Sequence, residues 1–83
     1  MKVTVKYFAS IREAVGQGSE AVQTQASTAG ALRDELVARG EAYAQALARG
    51  KAVRIAIDRV MRDDSASLED GCEVAFFPPV TGG

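Results

Sequence analysis

The stretch Cys72-Glu73-Val74-Ala75-Phe76-Phe77-Pro78-Pro79 decides how this chain folds. Val74 and Phe76 alternate with Glu73, Ala75 and Phe77, the period-two pattern of a strand over 72–77 with one buried face. Two prolines then stop it, because neither has an N–H for a sheet ladder and both fix φ near about −65°. The chain past Phe77 must therefore leave the sheet. Pro-Pro favours a stiff, extended segment, and the six residues Pro78-Pro79-Val80-Thr81-Gly82-Gly83 reach roughly 20 Å at about 3.3 Å each. Gly82 and Gly83 have no Cβ, so an arm ending in them enters a channel closed to other residues. The reactive group at its tip is the Gly83 carboxylate. A terminal Gly-Gly also suits a frayed end; the rigid spacer on an apolar strand favours a working arm.

Working outward, residues 2–8 alternate in the same way, with Val3, Val5 and Tyr7 on one face and Lys2, Thr4, Lys6 and Phe8 on the other. Pairing this first strand beside the last buries both apolar runs centrally. Ser10 and Glu13 have the spacing of a capping box, opening a short helical turn that Gly16 ends. A more polar strand at 20–25, with Val22 inward and Gln23 and Gln25 outward, reads as a sheet edge. Ser27-Thr28 caps a helix over 29–39, whose stripe is Ala29, Leu32, Leu36 and Val37, with Gly40 as its stop. Tyr43 and Leu47, four apart, mark a second short helix over 41–49 before Gly50. Val53, Ile55 and Ile57 face inward from a strand over 52–57. Asp58-Arg59 turns the chain, although a two-residue hairpin prefers Asn-Gly or Asp-Gly. Val60 then resumes the inward face, which points Met61 outward. The expected fold is α+β, a mixed sheet of about five strands with one main helix and a short second helix on one face. It divides into a domain at 1–77 and an extended tail at 78–83.

The composition limits the function classes. An 83-residue chain with 47% hydrophobic and 25% charged residues is one globular domain. A net charge of −1 without a clustered basic surface gives no sign of nucleic-acid binding. No apolar run approaches the roughly 20 residues that span a bilayer, and Met1-Lys2-Val3-Thr4 has no signal-peptide pattern, so a cytoplasmic location is expected. One cysteine, Cys72, and no histidine make neither an internal disulfide nor the usual zinc site, and no metal or permanently bound cofactor is expected. Cys72 itself reads as an incidental residue at a strand start. The lack of histidine also removes the ordinary acid–base catalyst near neutral pH. The chain reads as a carrier or substrate whose catalytic groups belong to partners. Asp58, Asp63, Asp64, Glu69, Asp70 and Glu73 make the second half acidic, a solvated surface or a means of steering a basic partner.

Phe77-Pro78-Pro79-Val80-Thr81-Gly82-Gly83, Tyr7-Phe8-Ala9 with Arg12-Glu13, and Leu68-x-Asp70-Gly71-x-Glu73-Val74 resemble the small, sulfur-carrier subunits of molybdopterin synthase, a ubiquitin-like family. That resemblance spans nearly the whole chain and implies a β-grasp fold. It further implies that a ubiquitin-activating-type adenylyltransferase, which binds the nucleotide, adenylates Gly83, and that a sulfur donor converts the glycyl adenylate to a thiocarboxylate, a 1-thioglycine. The sulfur would pass to cyclic pyranopterin monophosphate in the active site of a large catalytic subunit, building the dithiolene of molybdopterin. Two small and two large subunits are the assembly the family implies. By parity Phe8, Met61 and Phe77 share the sheet face without the helices. They are either a cluster covered by a loop or the anchor for the large subunit, with Arg12 paired locally or in contact with that partner. Two other classes fit the tail: a sulfur carrier for thiamine thiazole or cysteine synthesis, which the Phe77-Pro78-Pro79-Val80 spacer argues against, and a ubiquitin-like modifier joined to lysines through Gly83.

Overall fold

The computed structural model describes residues 1–79. In chain order the elements are β1 (Lys2–Tyr7), α1 (Ala9–Val15), β2 (Ser19–Gln23), α2 (Ala29–Val37), α3 (Glu41–Leu47), β3 (Arg54–Ile57), β4 (Val60–Arg62) and β5 (Glu73–Phe77). The sheet order is β2-β1-β5-β3-β4. β1 and β5 pair in parallel at the centre, and the other three pairings are antiparallel. The first and last strands thus sit side by side, as their apolar runs require.

Register fixes which residues share a face. Val3 lies opposite Val22, Val5 opposite Val74, Tyr7 opposite Phe76, and Phe76 opposite Ile55. All of these are buried, and they meet Ile11, Ala29, Leu32, Leu36 and Leu47 from the helices in one core. Tyr7 and Phe76 stack with ring centroids 6.4 Å apart. The helices cover this face only.

Several local features differ from the sequence expectation. The capping box does not form: α1 begins two residues earlier, with Phe8 rather than Ser10 as an N-cap, and Phe8 makes no side-chain cap bond. The Phe8 N–H donates to Phe76 O at 3.1 Å, so the ladder holds the chain until the helix starts, and Ser10 already lies within the first turn. Ala9 makes the sharp turn at φ 51°. The expected helical turn is a seven-residue helix, so three helices rather than two pack on the sheet. Gly16, at φ 93°, ends α1 in the left-handed conformation glycine favours. The Thr28 hydroxyl accepts from Ala31 N–H at 3.2 Å, as expected of the N-cap of α2. That helix stops before Gly40, because its last turn tightens with Arg39 N–H donating to Leu36 O, and Gly40 instead precedes α3. Asp58 and Arg59 both take positive φ, 50° and 71°, so the two-residue turn forms without glycine. Val60 keeps the face of its partner Ile57 but is 59% exposed, because β4 lies at the sheet edge beyond the helices.

Two polar clasps hold the helices. Arg33, buried on α2, donates from Nε to Leu47 O at 2.6 Å and from Nη2 to Ala48 O at 2.9 Å and Lys51 O at 3.0 Å. It bonds the Leu47 carbonyl at the end of α3, shares the Ala48 carbonyl with Lys51 N–H, and places a cation at the negative end of that helix. Gly30 lets the 63–66 loop close over α2: Ala29 and Gly30 N–H donate to Ala66 O and Asp64 O, and Arg49 bridges Asp34 and Asp64. The second clasp centres on Glu20 of β2. Its Oε2 accepts from the hydroxyls of Tyr7 at 2.7 Å and Tyr43 at 2.8 Å, while Oε1 accepts from Arg39 at 2.8 Å. Burial alone raises the Glu20 pKa; the bonds from Tyr7, Tyr43 and Arg39 outweigh it and hold the carboxyl below its usual range.

Candidate functional site

The sheet face opposite the helices carries the candidate site. One row crosses all five strands: Ser19, Lys6, Ala75, Ala56 and Met61 are successive register partners. Phe77 lies two residues along β5 from Ala75 and opposite Arg54. Phe8 follows directly on Tyr7, whose partner is Phe76, so Phe8 and Phe77 stand at the same end of adjacent strands. Phe8 is 46% exposed and Met61 56%, with Phe77 half-buried. Ala56 and Ala75 lie between Phe77 and Met61 and join them into one apolar strip with a shallow floor. The structure thus places on one face the three residues that parity predicts.

Arg12 is placed differently. It lies on α1, with its aliphatic stem against Gly18, and makes no ion pair among the described residues, so the expected local pairing is absent. Most carboxylates of the acidic second half are engaged locally. Asp58 accepts from Glu73 N–H, Asp70 from Lys2 N–H and Asp63 from Ser65, while Glu73 pairs with Lys6 at 3.1 Å and Asp64 with Arg33 and Arg49. Most of these carboxylates tie down turns and loops. Cys72 is buried in the core on the helix side, away from the open face.

At the root of the tail, β5 ends at Phe77, as the prolines require, and Pro78 and Pro79 lie half-buried. Pro78 lines a cavity of about 240 Å³ with residues of α1 and α3 and with Lys51 and Ala52. The arm therefore starts along the body of the domain before continuing. Val80, Thr81, Gly82 and Gly83, the remaining tail residues named from the sequence, lie outside the described residues. Sequence reasoning missed Ala56 as floor and Arg54 as neighbour of Phe77. Both follow from parity once Ile55 is inward and β3 is paired with β5. Among the described residues no three His, Cys, Asp or Glu side chains are grouped to hold a metal ion. No helix among them is long and apolar enough to cross a membrane.

A mixed sheet with parallel first and last strands at its centre, helices on one face and an arm leaving the last strand defines a ubiquitin-like β-grasp protein. The family model described as "ThiS family" matches residues 5–83, and the chain belongs to that family. It is 41% identical over 81 residues to the molybdopterin synthase sulfur carrier subunit of Escherichia coli, covering 98% of this chain and 99% of that protein. Among solved structures it is similar to one chain of the complex of subunits 1 and 2 of the molybdopterin-converting factor from Helicobacter pylori, with a TM-score of 0.69, 26% identity and coverage of 100% of this chain and 100% of that one. It also shares its fold with SAMP1 of Haloferax volcanii, with a TM-score of 0.79, 24% identity and full coverage of both chains.

Proposed function

We propose that this chain is the sulfur-carrier subunit of a molybdopterin synthase, working in the cytoplasm, with Gly83 as the residue that bears the sulfur. The observation that carries the reading is the likeness, over almost the full length of both proteins, to a relative of that name. An exposed apolar strip at the root of a Pro-Pro arm is what such a carrier needs. Phe8, Phe77 and Met61 seat on the large catalytic subunit, and Arg12 lies near enough to Phe8 along α1 to touch the same partner. The tail from Pro78 to Gly83 enters that subunit's active site.

The chemistry starts from an unreactive carboxylate. A Gly83 oxygen attacks the α-phosphorus of ATP on a ubiquitin-activating-type adenylyltransferase, forming the glycyl adenylate and releasing pyrophosphate. A sulfide equivalent from a donor then adds to the acyl carbon and expels AMP, leaving the thiocarboxylate. Its ionised sulfur forms a carbon–sulfur bond to a side-chain carbon of cyclic pyranopterin monophosphate in the large subunit as that carbon's bond to oxygen breaks, the oxygen leaving on the phosphate or, protonated, as water. Water cleaves the acyl carbon–sulfur bond, returning the Gly83 carboxylate and leaving sulfur on the pterin. Two deliveries complete the dithiolene. This chain contributes positioning, and the large subunit supplies acid, base and phosphate-binding groups.

Mass spectrometry of the protein from its native host tests the reading. The expected result is a C-terminal gain of about 16 Da, sulfur replacing oxygen. Isopeptide adducts to lysines with no such gain would instead identify a protein modifier and overturn it.

A further inference from the structure

We propose that the docking surface at the root of the tail is cationic and selects a large-subunit surface lined with carboxylates. This inference rests on the proposed function and adds the chemistry of the receptor. The net charge of the chain is −1, yet its charges are unevenly placed. Lys6, Arg33, Arg39 and Arg49 are neutralised by ion pairs. Lys2, Arg12, Arg59, Arg62, Arg54 and Lys51, all exposed, have no ion pair among the described residues, and the last two bear on the tail. Both stand where the arm begins: Arg54 is the register partner of Phe77, and Lys51 lines the cavity that holds Pro78. No Asp or Glu lines that cavity. On the open face the cation of Lys6 is already matched by Glu73.

Phe77 and Pro78 therefore leave the domain beside two cations that make no ion pair among the described residues, although Arg54 also lines a cavity with Asp63 and Asp64, on a protein that is otherwise slightly acidic. When the strip of Phe8, Phe77 and Met61 is covered, Arg54 and Lys51 come to lie at its rim. A receptor of matching shape needs Asp or Glu side chains there, because a basic rim would face like charges across a partly desolvated contact. Rim charges of this kind act mainly on the rate of encounter, while the buried aromatic centre sets the lifetime of the complex.

The test is stopped-flow association of the full chain with its purified large subunit at about 10 mM and about 150 mM salt, over which the screening length falls from roughly 30 Å to roughly 8 Å. The wild-type association rate should fall as salt rises. Lys51→Glu with Arg54→Glu should lower it about tenfold at low salt and flatten its salt dependence, with the dissociation rate changed less. The milder pair Lys51→Gln with Arg54→Gln should fall between. Phe77→Ala should instead speed dissociation and leave the salt slope intact. Reversed-charge variants that associate at the wild-type rate or faster, while Phe77→Ala still weakens the complex, would overturn the cationic rim and leave the docking reading standing. Failure of the wild-type chain to bind the large subunit at all would overturn both. Tight binding of duplex DNA to the wild-type chain, abolished by the same reversals, would also overturn the assignment to a protein receptor.

Discussion

Replacing Arg33 with alanine is expected to destabilise the domain by about 3–5 kcal/mol, the range for removing one partner of a buried charged cluster. Arg33 is 5% exposed and holds three carbonyls at and just after the end of α3, of which only Ala48 O also accepts from a backbone N–H, that of Lys51. Charge-assisted bonds of about 1.5–3 kcal/mol each would sum to more. Ala48 is only half-buried and Lys51 is exposed, so water reaches part of the vacated space and the lower range applies. At about 0.05–0.15 kcal/mol per residue, a chain this size has roughly 4–12 kcal/mol in total, so the loss is a large share of it. Thermal melts followed by far-UV circular dichroism should show a fall in Tm on the order of 20 °C, at about 4–8 °C per kcal/mol. Arg33→Lys keeps the charge but not the planar fork that reaches several carbonyls, and should lie between wild type and alanine. A loss below about 1 kcal/mol for Arg33→Ala would refute the assignment of Arg33 as the cap of α3.

Three further outcomes follow from other contacts. Glu20 has a lowered pKa in the fold, so its contribution is present above the unfolded value near about 4.3 and is lost as pH falls through the folded one; urea titrations should show a shallower acid-side loss of stability in Glu20→Gln than in wild type. A Cβ at Gly30 would lie 3.1 Å from Asp64 O and 2.9 Å from Arg49 Nη2. Gly30→Ala should therefore cost about 1–2 kcal/mol despite the better helix propensity of alanine, read from the urea midpoint. Arg59 holds φ at 71° in the hairpin turn. Arg59→Gly creates the Asp-Gly pair such turns prefer and should raise stability by about 0.5 kcal/mol, visible as a small increase in Tm.

The parts of this fold legible in the sequence are those where one periodicity spans a whole element. The alternation of Val3, Val5 and Tyr7 and of Val74 and Phe76 placed both central strands, and the stripe of Ala29, Leu32 and Leu36 placed the main helix. The open face followed from the same parity, and with it Phe8, Met61 and Phe77. Features set by a partner distant in sequence were not legible. Arg33 looks like an ordinary surface residue of a helix until α3 ends against it. Val60 has the right parity, but its burial depends on how far the helices extend across the sheet. Ser10 and Glu13 have capping-box spacing, yet the ladder bond from Phe8 to Phe76 starts the helix earlier. The cations beside the tail were hidden because charge along the chain says little about which charges meet: among the described residues four of the ten Lys and Arg side chains pair with carboxylates, and Arg54 and Lys51 are among the six that do not.

The parallel ladder between β1 and β5, closed on the other side by β3, also determines how the domain bears load. A partner that grips the arm and tugs along the axis of β5 strains the hydrogen bonds on both flanks at once, in shear, instead of peeling them apart one after another. The domain would thus resist best a pull along that axis, and a partner that drew on the arm in that direction would not unravel the strand from which it emerges.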